Sequence, residues 1–161
     1  MARYGRGVSG RYFEDFIVGE LIDSPESYEI TAERLHEYAA EFDPQPMHLD
    51  QGAAERSIFG RLVASGWHTL SVTMRLMVGS PLFESGAVVG VGIDKLRWLR
   101  PVGAGDVLRA RAEVVETRPS RRHHDRGYLV LRVTTLIADG TPVASQEWTV
   151  LVPRRPAGAT T

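Results

Sequence analysis

The hydrophobic period of this chain changes once, at Gly79 and Pro81, from helical to alternating. Before the change, Leu35, Tyr38, Ala39 and Phe42 repeat along one helical face, with Thr31 placed to cap the N-terminus. A second helix opens at Ser65-Gly66, where Trp67, Leu70, Ser71, Met74, Met77 and Val78 form a nearly apolar stripe. Val72 and Leu76 add apolar surface elsewhere on that helix, so it must be largely surrounded by protein. Three or four long strands are expected downstream. Residues 87–100 are β-prone, with Gly90 and Gly92 suited to bends or bulges in a curved sheet. Leu108, Ala110, Ala112 and Val114 alternate with Arg109, Arg111 and Glu113, as in a strand with one wet face. Tyr128 to Ala138 and Val143 to Val152 flank Asp139-Gly140-Thr141-Pro142, a hairpin signal. Helices first and strands afterwards predict an α+β domain whose antiparallel sheet buries one long helix against its concave face.

At 161 residues the chain fits one domain, assigned here to residues 11–153 between a flexible N-terminus (1–10) and a flexible tail (154–161). A formal net charge of −1 argues against bulk binding to nucleic acid or to an anionic membrane. The absence of cysteine excludes disulfides, thiolate metal sites and a cysteine nucleophile. No apolar run reaches the ~18 residues of a spanning helix, and no secretion signal follows the N-terminal arginines, so a cytoplasmic protein is expected.

Chemistry concentrates in Asp43-Pro44-Gln45-Pro46-Met47-His48-Leu49-Asp50. A carboxylate and an imidazole five residues apart do not share a helical face, and the prolines push Asp43 and Gln45 toward extended backbone. A rigid loop is therefore expected to hold both side chains. Asp50 reads as the cap of a short helix through Ala53 and Ala54 rather than as a catalytic acid. Ser65 reads as the cap of the long helix, whose first free N–H groups could face whatever Asp43 and His48 act on.

These residues resemble the MaoC-type dehydratases and (R)-specific enoyl-CoA hydratases, a family with the hotdog fold, in which a curved antiparallel sheet wraps a central helix. The family motif Asp-x-Asn-Pro-x-His-x-Asp is matched by Asp43, Pro46, His48 and Asp50, with Gln45 in place of the usual asparagine. Ser65-Gly66 match the small residue and glycine that begin the central helix. Arg11-Tyr12-Phe13-Glu14-Asp15-Phe16 with Gly19-Glu20, and Leu99-Arg100-Pro101-Val102 before Gly105-Asp106, are further shared pieces. Met74 stands where short-chain hydratases of the family tend to carry serine.

The resemblance implies that Asp43 and His48 hold and activate water while the Gly66 N–H polarises a thioester carbonyl. Adding water to an α,β-unsaturated thioester needs a base on one side and hydrogen-bond donors at the developing oxyanion on the other, with no metal or other cofactor. A neutral imidazole accepts a proton near pH 7, so His48 is expected to be the principal base and Asp43 to orient the water. Ser65, Trp67, Arg97 and Arg100 are the expected substrate-binding residues, the arginines because a strand end offers fixed cations for coenzyme A phosphates. Arg118, Arg121, Arg122 and Arg126 around His123 and His124 read as a solvated hairpin tip, with phosphate attraction as the sharper alternative. His36 and His68 read as structural, and no histidine spacing suggests a metal.

A hydro-lyase acting on an acyl-CoA thioester, with no nucleic-acid or membrane partner, is thus expected. It would work as a homodimer or a higher multiple of dimers, because open sheet edges gain by pairing. Its rivals are a hotdog thioesterase and a non-catalytic acyl-CoA-binding subunit.

Overall fold

The computed structural model of the protein describes residues 10–84 and 88–156. The segments expected to be flexible at 1–9 and 157–161 lie outside that range, as does Ala87 at the head of the first long β-prone stretch. Two short strands, β1 (Leu21–Asp23) and β2 (Tyr28–Glu29), precede the helices α1 (Ala32–Phe42), α2 (Pro46–Leu49), α3 (Gln51–Arg56) and α4 (Gly66–Val78). Four long strands follow: β3 (Val89–Trp98), β4 (Val107–Pro119), β5 (Arg126–Ile137) and β6 (Pro142–Pro153). All pairings are antiparallel, in the order β1-β4-β5-β6-β3, with β2 also on β4. The order of elements departs from the sequence expectation because β1 and β2 are too short to show a period. They become strands only by pairing with β4.

The concave face of the sheet covers α4, as expected for the hotdog fold. Leu108, Ala110, Ala112 and Val114 of β4 and Leu129, Leu131 and Val133 of β5 form one core with Val72, Leu76 and Met77 of α4. From Leu108 to Val114 in β4 and from Gly127 to Thr135 in β5 alternate residues are buried, so one face of these stretches is dry. The Asp139–Pro142 turn joins β5 to β6 through Gly140, whose φ of 87° requires glycine. No helix among the described residues is long and apolar enough to cross a membrane.

Helix α4 turns a different face to the sheet from the one its composition suggests. Its buried residues are His68, Thr69, Val72, Thr73, Leu76 and Met77. Of the apolar stripe only Met77 lies in the core, while Trp67, Met74 and Val78 remain 57, 42 and 40% exposed. Thr73 tolerates burial because its hydroxyl donates to the Thr69 carbonyl (2.8 Å) and pairs with the Thr135 hydroxyl of β5 (2.6 Å). The stripe instead lies beside β3, whose residues are almost all exposed and whose outer edge has no strand partner among the described residues.

The ends of the domain are held more firmly than composition suggests. Gly10 is buried. Arg154 donates to Glu14 (2.7 Å) and Arg155 to Asp15 (2.6 Å), so residues expected to fray lie against the first turn. The Arg11–Phe16 piece thereby has a structural reading. Arg11 pairs with Glu20 (2.6 Å), and Phe13 packs where a side chain at Gly127 would overlap its ring.

Candidate active site

Asp43 is the C-cap of α1, and its amide still donates to the Ala39 carbonyl (3.0 Å). From there the chain is less of a loop than expected. Pro46 occupies the first turn of α2, where its missing N–H costs nothing, and the one-turn helix carries His48 inward. Asp50 then caps α3 by accepting from the Ala53 amide (2.6 Å). Each proline thus starts or stops an element, which is how a five-residue spacing brings Asp43 and His48 together.

His48 is buried, and its Nδ1 lies 2.8 Å from the Val63 carbonyl oxygen. A carbonyl only accepts, so Nδ1 carries the hydrogen and the neutral ring leaves its lone pair on Nε2. That nitrogen is 3.5 Å from Asp43 Oδ2. Asp43 is gripped on both oxygens: Ser65 Oγ donates to Oδ2 (2.6 Å) and Gln45 Nε2 to Oδ1 (2.7 Å). These bonds, Ser65 first and Gln45 second, hold the Asp43 carboxyl below its ordinary range, against the opposing effect of burial and with a smaller push from His48. Gln45, the departure from the family's asparagine, is therefore a clamp on the carboxylate.

Ser65 is fully buried, and its hydroxyl is spent on Asp43 while accepting from the Trp67 amide (3.2 Å). It positions the carboxylate and caps α4 with the same atom. The bond spans 22 residues of sequence, so no local pattern announces it. Gly66 follows as the first residue of α4, where an amide has no intrahelical acceptor. Its missing side chain is required, because a Cβ there would overlap the indole of Trp98.

A pocket of about 490 Å³ collects Asp43, His48, Gly66, Trp67, Trp98 and Arg100 on one wall system, with Met47 and Phe59 adding apolar surface. Arg97 does not line it; its guanidinium donates to the Leu96 carbonyl (2.8 Å). The reason is register. Asp94 pairs with Glu147 and Arg97 with Ser145, so Lys95 and Leu96 stand opposite Gln146 alone. This bulge shifts the alternation by one residue, turning Arg97 to the outer face and Trp98, opposite buried Ala144, to the inner one. Trp98 is the site residue that sequence reasoning missed, and a bulge at a lysine leaves no compositional signal.

The basic hairpin sits elsewhere. Arg118, Arg121, Arg122 and His123 line a separate cavity of about 340 Å³ at the β4–β5 tip. Gly127 at that tip and Thr135 near the Trp98 end are separated by the length of β5, roughly 26 Å at the usual strand rise. His68 is buried in the first turns of α4 and stacks on Tyr38 (centroids 4.6 Å apart). Burial, reinforced by Arg34, keeps its pKa below the ordinary histidine value, in line with a structural role.

The model of the MaoC-like domain matches residues 15–134. The solved MaoC-like dehydratase from Rhodospirillum rubrum is 40% identical, with a TM-score of 0.86 over 91% of this chain and 99% of that one. The protein YdeM of Bacillus subtilis is 26% identical over 88% of this chain and 98% of its own length. The 3-hydroxybutyryl-CoA dehydratase of Methylorubrum extorquens is 32% identical over 69% of this chain and 68% of its own.

Proposed function

The chain belongs to the MaoC-like dehydratase family, and on that premise we propose that it is a hydro-lyase that reversibly adds water to a 2-enoyl-CoA thioester, giving an (R)-3-hydroxyacyl-CoA. The observation that carries the reading is the approach of His48 Nε2 to Asp43 Oδ2, 3.5 Å, in a pocket that also holds the free amide of Gly66.

Water held between Asp43 and His48 gives one proton to Nε2 as its oxygen bonds to the β-carbon. The π electrons move toward the thioester, and the enolate oxygen is held by the Gly66 N–H, helped by the positive end of α4. The imidazolium then returns its proton to the α-carbon, so the two hydrogens and one oxygen of water are all placed. Asp43 is the poorer proton donor, because Ser65 and Gln45 stabilise its ionised form. It orients the water and balances the transient imidazolium. No step calls for a metal or another cofactor.

Arg100, which lines the pocket, is the residue assigned to a coenzyme A phosphate on this reading. The natural partner is a second copy of the chain. The Val89–Ile93 half of β3 has an open edge, and Met74 of α4 with Ile93 and Trp148 lines an apolar hollow of about 420 Å³ beside it. Antiparallel pairing of β3 with its symmetry mate would close both at once.

The test is a panel of 2-enoyl-CoA thioesters followed by loss of the conjugated double bond and by release of free thiol. Loss of the double bond without thiol supports the hydro-lyase. Thiol release would make the protein a thioesterase, and binding without change a carrier subunit.

A further inference from the structure

We propose that Trp98 is a catalytic residue whose indole N–H is the second donor to the thioester oxygen, beside the amide of Gly66. The inference rests on the hydro-lyase reading and adds a residue that the family motif does not contain.

Three independent features converge on this side chain. The indole nitrogen of Trp98 fills the space that a Cβ on Gly66 would occupy, so the indole packs against the backbone of Gly66 and both residues line the pocket. The ring is braced edge-on by Trp67, with centroids 5.6 Å apart and planes at 79°. No acceptor among the described residues takes the indole N–H, and Trp98 is 49% exposed, so the donor is open to a ligand. By contrast, Trp148 Nε1 is unpaired but sealed in the core.

The backbone adds a further feature. Lys95 has a φ of 51°, the one positive value at a non-glycine among the described residues. It lies in the bulge that turns Trp98 inward. A lysine in the left-handed region is uncommon, and such backbone persists where the surrounding structure enforces it, often beside functional sites. Without the extra residue, regular alternation would point Arg97 inward and Trp98 out. The bulge exchanges a flexible cation for a rigid neutral donor. A neutral donor suits the chemistry, because it strengthens its bond as charge grows on the oxygen and adds no second acid near the imidazolium.

Two measurements test the role. In the first, Trp98→Phe keeps an aromatic side chain and removes the N–H; kcat for crotonyl-CoA hydration should fall by roughly 10²-fold, as for loss of one oxyanion donor, with KM changed far less. Unchanged kcat in a folded Trp98→Phe protein would overturn the inference while leaving the hydro-lyase reading intact. The second uses the wild-type protein and butyryl-CoA, a saturated thioester that cannot be hydrated. The chain has three tryptophans, so its indole ¹H–¹⁵N spectrum holds three signals. Binding should move the Trp98 signal downfield, and free coenzyme A should not. A shift at Trp67 alone would mean that the indole is only a wall. No shift at any signal under saturating butyryl-CoA would overturn the inference together with the thioester reading on which it rests.

Discussion

Two regions of this small domain are finished to different degrees. Between residues 43 and 65 the side chains that set the site are each held: Asp43 by Ser65 and Gln45, His48 Nδ1 by Val63, and Asp50 by Ala53. Along β3 and the outer face of α4, Trp67, Met74, Val78, Val89, Val91 and Ile93 are all exposed. A satisfied polar cluster has one geometry and acts on something small. An exposed apolar face of this kind is a surface suited to being covered by a partner or a ligand. On the function proposed above, the chemistry depends on contacts within one subunit and association on the face beside it.

Substitutions at the acid–base pair give the sharpest separation between the two regions. Asp43→Asn and His48→Gln should each lower kcat by ~10²–10⁴-fold with the fold and oligomeric state unchanged, since both side chains serve proton transfer. The double variant should cost far less than the product of the singles, because both residues hold one water. Dissociation of either single variant, seen by sedimentation, would break the division.

Met74→Lys and Ile93→Lys probe the other region. Each places a charge on the open apolar face, and each should weaken self-association by about 10²-fold or more, consistent with the cost of burying an unpaired charge. Sedimentation velocity across a concentration series measures this. A chain that remains monomeric in the wild type, or dimeric in both variants, would remove the face from the account of assembly.

The inner face of α4 gives the next effect. Thr73→Val leaves the buried Thr135 hydroxyl without its partner and should destabilise the protein by about 1–3 kcal/mol. Adding Thr135→Val should recover most of that loss in denaturant unfolding. Equal stability of the single variant and wild type would mean that the pair is not what permits two threonines in the core.

Ser65→Ala belongs to the first region and should cost about tenfold in kcat, less than the ~10²–10⁴-fold of the acid–base groups themselves. It also carries a pH signature. Because the folded carboxyl of Asp43 titrates below its ordinary value, its stabilising contribution is present above the unfolded pKa and is lost as pH falls through the folded one. Without the Ser65 hydroxyl the folded pKa rises toward the ordinary range, so the carboxyl ¹³C signal of Asp43 should titrate at higher pH than in wild type. A titration midpoint equal to that of wild type would show that Ser65 does not hold the carboxylate.

The contrast also explains what could be read from sequence. Thr31, Asp50 and Ser65 were legible as helix caps, because a cap lies within three residues of the amide it serves. Asp43, His48 and Gly66 were legible as a motif, and they share one pocket. The bond from Ser65 to Asp43 was not legible, since it joins two elements 22 residues apart. The choice between Arg97 and Trp98 turned on a bulge at Lys95, where one extra residue reverses every side chain that follows. The apolar stripe of α4 was legible as a face to be surrounded by protein, but hydrophobicity states that a face will be covered without stating by what. The hydrogen-bonded threonines cover the sheet instead.

The most direct test of the acid–base assignment is to incubate crotonyl-CoA with the protein in D₂O and read the product by proton NMR. Addition of water through Asp43 and His48 should give 3-hydroxybutyryl-CoA with a single deuterium at the α-carbon, and His48→Gln should form almost none of it. Recovery of unlabelled crotonyl-CoA, release of crotonate and free thiol, or the same labelled product from His48→Gln at the wild-type rate would contradict it.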